Sequence, residues 1–83
     1  MKIRVQVGTD MLQIPCSTVG TPKTVRWLQN EVARRYKQMH KKSIQVEKLM
    51  VQDDRNSREK TLFKDDLVIH VLEGRENVKA IFS

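Results

Sequence analysis

One stretch of the chain has an apolar repeat with the period of an α-helix, and it limits what the rest of the sequence can fold into. Residues 21–39 carry apolar side chains at steps of three and four, namely Val25, Leu28, Val32, Tyr36 and Met39. This spacing places them on one side of a helix. Thr21 and Pro22 predict the helix start, because a threonine oxygen can accept from a free N–H and proline there loses no hydrogen bond. One amphipathic helix cannot bury its own apolar side, so the flanking segments must cover it.

The residues before the helix alternate apolar and polar side chains, which is typical of strands with one buried face. Residues 1–7 and residues 11–16 show this alternation, and residues 8–10 between them carry a turn signal. Two such runs joined by a short turn predict a β-hairpin. Pro15 has no N–H to donate to a neighbouring strand, so we expect the second strand at a sheet edge.

Two further strands are predicted after the helix. Residues 44–51 alternate, and a change of phase between Val46 and Leu49 indicates a bulge or twist. Residues 78–82 alternate and predict the final strand. The polar residues 52–60 predict a surface loop.

The apolar run at residues 62–72 allows two interpretations. A continuous apolar run is consistent with a buried strand. Alternatively, a short helix begins at Asp65, a strong N-cap residue, which places Leu67, Val71 and Leu72 on one side. The pattern alone leaves both interpretations open.

Together these elements predict a single α+β domain. The 83 residues are enough for one domain and too few for two. A hairpin, one long helix and later strands predict a mixed sheet with the main helix packed across one face. The first and last strands are both apolar on one face, so we expect them to be neighbours in the middle of the sheet. This is the layout of the β-grasp, or ubiquitin-like, fold.

The sequence resembles the N-terminal domain of the Par-3 cell-polarity scaffold family over nearly its whole length. The residues that carry the resemblance are Met1-Lys2-Ile3-Arg4-Val5 with Gly8, Ile14-Pro15-Cys16, Val25, Leu28, Val32, Arg35-Tyr36, Ile44-Gln45-Val46, Leu49, Asp65-Asp66-Leu67, Val71 and Val78-Lys79-Ala80-Ile81-Phe82. The resemblance implies a ubiquitin-like fold related to PB1 domains, with a short helix rather than a strand at residues 65–72. It also implies that residues 1–83 are the N-terminal module of a longer cytoplasmic scaffold. Such domains self-associate front to back into helical filaments that concentrate the scaffold at the cell cortex or cell junctions.

The sequence departs from the family pattern at two positions of the surface used for self-contact. Family members tend to have a basic residue at the position of Thr9 and an apolar residue at that of Gln13. The loop before the last strand, which is acidic in the family, matches better through Glu73 and Glu76.

No catalytic or cofactor-binding constellation is recognisable in the sequence. The pairs Asp53-Asp54 and Asp65-Asp66 are explained by a solvated turn and a helix cap. His70 and Cys16 lack companions for a metal site, and we expect both to be partly buried. The single cysteine permits no internal disulfide, which fits a reducing compartment. With no glycine-rich phosphate loop and few aromatic residues, we expect a non-enzymatic domain that binds no metal, cofactor or nucleic acid.

The net charge of +6 is divided unevenly along the chain. Residues 1–42 hold nine basic and two acidic residues, or +7, and residues 43–83 hold seven basic and eight acidic residues, or −1. Opposite charge on two sides of one body attracts another copy, and contact between different surfaces propagates into an open chain. The predicted basic face consists of Lys2, Arg4, Lys23 and Arg26. The predicted acidic face consists of Asp65, Asp66, Glu73 and Glu76, and the predicted edge-strand contact of Leu12, Gln13 and Ile14.

The sequence also allows partners other than a second copy of the domain. A monomeric adaptor of this fold could add its edge strand to a small GTPase or another acidic protein, with Arg4 and Lys23 in the contact. A helix-end cluster could instead bind an anionic membrane or a microtubule surface. This cluster consists of Arg34, Arg35, Lys37, Lys41 and Lys42. Other polarity or cytoskeletal proteins are further candidate partners. Trp27 is either packed at the edge of the apolar side or an exposed contact residue.

Overall fold

The computed structural model describes residues 1–53 and 58–83, which form five strands and two helices. In chain order these are β1 (Lys2–Val7), β2 (Asp10–Pro15), α1 (Val25–His40), β3 (Val46–Asp53), β4 (Arg58–Leu62), α2 (Val68–Val71) and β5 (Asn77–Phe82). The strand order is β2-β1-β5-β3-β4, and only the β1–β5 pair is parallel among the described strands. The α+β prediction is confirmed, with β1 and β5 adjacent in a mixed sheet and α1 packed on one face. The architecture is consistent with the β-grasp fold.

The predicted β1–β2 hairpin is confirmed, and β2 lies at the sheet edge as Pro15 indicated. Lys2 pairs with Pro15 and Val7 with Asp10, so the register is continuous along both strands. Gly8 turns the chain with φ of +61°, a left-handed conformation that glycine adopts without strain.

The core lies between α1 and one face of the sheet. Its strand residues are Ile3, Val5, Val7, Leu12, Ile14, Leu49, Val51, Leu62, Val78 and Ala80. Val25, Leu28 and Val32 of α1 are each fully buried against them. Met39, predicted on the same apolar side, is 55% exposed. The prediction is wrong there because Met39 lies beside β2, and no described strand lies beyond that edge to cover it.

The helix begins three residues later than the sequence indicated. Thr24, not Thr21, is the N-cap, and its Oγ1 accepts from the backbone N–H of Trp27 at 3.2 Å. Thr24 also pairs with Leu67 in an antiparallel bridge. That pairing holds the chain extended up to Thr24, which is why the cap moves past Pro22.

Replacing Thr24 with alanine is expected to lower the free energy of unfolding by about 1 kcal/mol, because one free helix N–H loses its acceptor. The matched change Thr21→Ala should leave it within about 0.5 kcal/mol, since Thr21 lies outside the helix on the surface. Urea denaturation of both variants measures the difference. Equal losses would show that Thr24 is not the cap.

The strand β4 contradicts the loop predicted for residues 52–60. The first two of these residues continue β3, and the last three belong to β4, where Lys60 pairs with Val51. Residues 54–57, which include Asp54 of the predicted solvated turn, lie outside the described residues. Residues 58–60 have no apolar alternation because β4 is an exposed edge strand. The predicted irregularity in β3 is confirmed between Val46 and Lys48.

The short helix α2 confirms the helical interpretation of residues 65–72, but not its cap. The N-cap is Leu67, which makes no side-chain hydrogen bond, whereas Asp65 precedes the helix. The residues just before Leu67 form a turn, closed by the bond from the Asp66 N–H to the Phe63 carbonyl. The bridge to Thr24 and the bond from the Val68 N–H to the Lys23 carbonyl then hold Leu67 extended, so the helix begins only at Val68. His70 is exposed, which corrects its predicted partial burial.

Candidate interaction site

The sheet face opposite α1 has no described helix packed on it, and it is rich in cations. Residues that are directly opposite in neighbouring strands point to the same face. In the strand register, Arg4 lies opposite Gln13 of β2 and Asn77 of β5. Lys79 lies opposite Gln6 of β1 and Met50 of β3. We define the cationic sheet face as the exposed side chains of Lys2, Arg4, Lys48 and Lys79. Glu59, which lies opposite Gln52 in the strand register, adds a carboxylate to this face.

The β2 edge borders the cationic sheet face. Leu12 and Ile14 are buried in the core, and only Gln13 of the predicted edge-contact residues is exposed. A partner would therefore meet the β2 backbone, the Gln13 side chain and the neighbouring Met11, which is 48% exposed. An unpaired strand edge presents N–H and C=O groups that can pair with another chain.

An acidic loop, defined as residues 73–76, lies beside the start of β1. A Cβ atom at Gly74, whose φ is +98°, would lie 3.0 Å from Cγ of Met1. The Glu76 carboxylate accepts from the backbone N–H groups of Glu73, at 2.9 Å, and Gly74, at 3.2 Å. Glu76 therefore holds the loop together. The Glu73 side chain is 73% exposed, and among the described residues it pairs only with Arg75 of its own loop, at 2.9 Å. Of the two acids, Glu73 is the one free to meet a partner.

The structure brings together some residues that the sequence assigned to opposite faces. Arg26 Nη2 lies 3.5 Å from Asp65 Oδ1, with both side chains largely exposed. Arg4 Nη2 donates to the Arg75 carbonyl at 3.1 Å, so β1 and the acidic loop meet at one corner. Asp66 is half-buried, and its carbonyl accepts from the Val25 N–H.

The four residues of the predicted basic face lie in two layers. Lys2 and Arg4 point away from α1, because Ile3 and Val5 between them point into the core. Lys23 and Arg26 lie on the helix side, where the Lys23 ammonium sits 5.6 Å from the centre of the Trp27 ring. Trp27 is half-buried and packs against the core, which favours the first interpretation of this residue. Sequence reasoning missed Lys79, although its alternation with Val78 and Ala80 indicates an outward side chain.

Glu31 neutralises part of the helix-end cluster. Arg34 and Arg35 both donate to its carboxylate, with 3.0 Å between Arg35 Nε and Glu31 Oε1. These hydrogen bonds, first that of Arg34, lower the pKa of Glu31, and the same contact raises the pKa of Arg34. Glu31 precedes Arg34 by three residues and Arg35 by four, and this spacing on a helix is the sequence signal that could have predicted the contact. Lys37, Lys41 and Lys42 remain exposed.

Cys16 is buried rather than half-buried, and burial raises the pKa of its thiol. Within residues 1–53 and 58–83, the structure shows no group of three potential metal ligands. None of the helices in this part of the chain is long and apolar enough to span a membrane.

The family described as "N-terminal of Par3 and HAL proteins" matches residues 1–83, the entire chain. The chain belongs to this family. Domains of the Par3/HAL N-terminal family are known as self-association modules of scaffolds and are not known to be catalytic. No curated protein and no solved structure matches the chain.

Proposed function

We propose that this Par3/HAL N-terminal domain self-associates front to back, with the acidic loop of one copy on the cationic sheet face of the next. The observation that carries the proposal is the cationic sheet face, an uncovered surface with four exposed cations beside a strand edge. Repeated contacts of this kind would cluster a cell-polarity scaffold at the cell cortex.

Glu73 supplies the complementary charge. Its carboxylate is exposed, and its partner within the same copy, Arg75, is itself 86% exposed. An exposed ion pair contributes only about 0–1 kcal/mol, so exchanging Arg75 for a cation of another copy costs little. Asp65 is exposed as well, but its nearest cation is Arg26 of the same copy.

Charge alone does not hold such an assembly together. Several exposed pairs at up to about 1 kcal/mol each fall short of a micromolar complex, which needs about 8 kcal/mol. Apolar side chains on the same face, Met11, Met50 and Ile81, together with the β2 backbone edge, supply the remaining contact.

Light scattering over a range of protein and salt concentrations tests the proposal. At low salt, the mean mass should grow continuously with protein concentration. It should fall towards the monomer near 1 M salt, where the Debye length is about 3 Å.

Three results would contradict the proposal. A monomer at high concentration and low salt would exclude self-association. A mean mass that does not change with salt concentration would exclude the contact between the acidic loop and the cationic sheet face. A mean mass that stops growing at two copies would show a closed dimer instead of an open chain. The proximity of Arg4 to the acidic loop of the same copy would explain such a dimer.

A further inference from the structure

The hydrogen bonds at the start of β1 determine which backbone groups of β2 point to the free edge of the sheet. The Cys16 N–H donates to the Met1 carbonyl at 2.7 Å, and the terminal ammonium of Met1 donates to the Cys16 carbonyl at 3.1 Å. In an antiparallel pair of strands, residue pairs that exchange both bonds alternate with pairs that exchange none. The backbone groups that point away from β1 are therefore those of every second residue of β2, namely Met11, Gln13 and Pro15.

These outward groups can bind an additional strand. Met11 and Gln13 each present an N–H and a C=O, and Pro15 presents a C=O alone. Proline is tolerated here because the N–H that it lacks would point to solvent, which agrees with the alternation. All three residues are exposed, and none of the described strands pairs with β2 on this side. Such an edge can be extended by a segment of another chain.

A groove beside this edge determines which side chain an added strand can bury. It lies between β2 and the end of α1, has a volume of about 310 Å³, and is lined by Met11, Leu12, Gln13, Arg35, Gln38 and Met39. An added residue opposite Leu12 points to the same side as Leu12, which is towards α1 and into the groove. Met11 and Met39 are 48% and 55% exposed, so their apolar surface is available. The charge of Arg35 is balanced by Glu31, so an apolar side chain suits this position.

The other side of an added strand faces the cationic sheet face. Added residues opposite Gln13 and Pro15 point away from α1, as these two residues do. On the next strand, Arg4 lies opposite Gln13 and Lys2 opposite Pro15. Two strand spacings are about 10 Å, which an acidic and a basic side chain can span together. Arg4 donates to the carbonyl of Arg75, which does not neutralise its charge. Acidic residues are therefore favoured at both positions.

The strand β4 of a second copy does not match this pattern, although β4 is the other edge of the described sheet. Its apolar residue Leu62 is 4% exposed and is packed in its own core. Lys60 lies opposite the buried Val51, so it points to the α1 side and would bring a cation towards Arg35. The segment that suits β2 is therefore expected in another protein.

We propose that β2 binds an extended segment of a partner protein as an additional strand, with acidic residues opposite Pro15 and Gln13 and an apolar residue opposite Leu12. In the antiparallel orientation, which is the more stable per residue, the segment reads acidic-any-acidic-apolar from its N-terminus. The next copy in the proposed assembly uses the same edge, so a bound segment would also end the chain of copies. This last consequence alone rests on the proposed self-association.

The test is an NMR titration of the ¹⁵N-labelled domain, at a dilution where light scattering shows a monomer. The probe is acetyl-Glu-Thr-Glu-Leu-Thr-amide. Two N-methylated forms are matched controls for strand addition. Methylation at the second glutamate removes the N–H that would donate to the Gln13 carbonyl, whereas methylation at the leucine removes an N–H that points away from β2. Replacing both glutamates with glutamine removes the charge, and replacing the leucine with glycine removes the apolar side chain.

We expect millimolar peptide to cause saturable shifts and slower hydrogen exchange at the amides of Met11 and Gln13, because both N–H groups gain an acceptor. Methylation at the second glutamate should weaken binding about tenfold, and methylation at the leucine by less than about threefold. The glutamine and glycine peptides should each bind about fivefold more weakly than the probe.

A pair of domain variants tests the same contact from the other side. Gln13→Pro removes the outward N–H but no bond to β1, so it should weaken binding about tenfold. Gln13→Ala keeps the N–H and should bind within about twofold of the wild type. If Gln13→Pro does not fold, the two methylated peptides still decide, because they leave the domain unchanged.

Three outcomes would overturn the inference. The absence of saturable shifts at Met11 and Gln13 would exclude binding at β2. Equal weakening by the two methylated peptides would exclude strand addition. Equal binding of the leucine and glycine peptides would exclude the groove. Binding is measured on the monomer, so it can succeed if self-association fails, and a domain that assembles without binding the peptide would refute this inference alone.

Discussion

Glu73→Arg is expected to raise the dissociation constant for self-association about tenfold. Glu73 is exposed and accepts no backbone hydrogen bond in the described structure, so the change should leave the fold intact. An exposed ion pair contributes up to about 1 kcal/mol, and reversal replaces that attraction with a repulsion of similar size. The sum, up to about 2 kcal/mol, includes the roughly 1.4 kcal/mol that corresponds to a tenfold change. Sedimentation at low salt measures the shift.

A complementary variant makes the result specific. Arg4→Glu reverses the other side of the proposed contact and should weaken self-association by a similar factor. Mixing it with Glu73→Arg should restore assembly, because each variant then offers the charge that the other requires.

The control for Glu73→Arg is Glu47→Arg, which changes the net charge equally at an exposed position of β3. It should retain the wild-type dissociation constant. The proposed contact fails if both variants assemble normally, or if the mixture stays as weakly associated as each variant alone.

Leu28→Ala is expected to lower the free energy of unfolding by about 2–5 kcal/mol, because a fully buried side chain leaves a cavity in the centre of the core. This is a large part of the roughly 5–15 kcal/mol that stabilises a typical domain. At about 4–8 °C per kcal/mol for a domain of this size, the melting temperature should fall by about 8–40 °C. Calorimetry and urea denaturation measure both quantities.

Met39→Ala is the matched control, since the apolar repeat of the sequence includes both residues. Met39 is mostly exposed, so its loss should change the free energy of unfolding by less than about 0.5 kcal/mol. Similar losses for the two variants would mean that the last turn of α1 is buried after all.

The distribution of charge over the surface could not be predicted from the sequence. The +7 and −1 halves predicted separate basic and acidic sides. The bridge between Thr24 and Leu67 instead brings the start of α1 beside the segment before α2, and Arg26 meets Asp65. Charges that are distant in the chain become neighbours through backbone pairing, which composition does not record.

The burial of side chains could be predicted from the sequence in β1 but not at Gln29 of α1. The alternation in β1 correctly predicted that Ile3 and Val5 point inward and that Lys2 and Arg4 point outward. Gln29 is not part of the apolar repeat of the helix, so no signal in the sequence indicated its burial. Its burial follows from the packing of α1 against β3, where Val46 supplies the acceptor for its amide.

The sequence by itself determined the elements with strong periodicity: the hairpin, the main helix and the last strand, and with them the α+β class. It could do so because side-chain spacing and local turn chemistry act within a few residues. Only the tertiary structure decided the edge strand β4, the cap at Thr24, the pairing of Arg26 with Asp65 and the burial of Gln29. Each of these depends on contacts between segments far apart in the chain, whose positions are set by backbone pairing and core packing together.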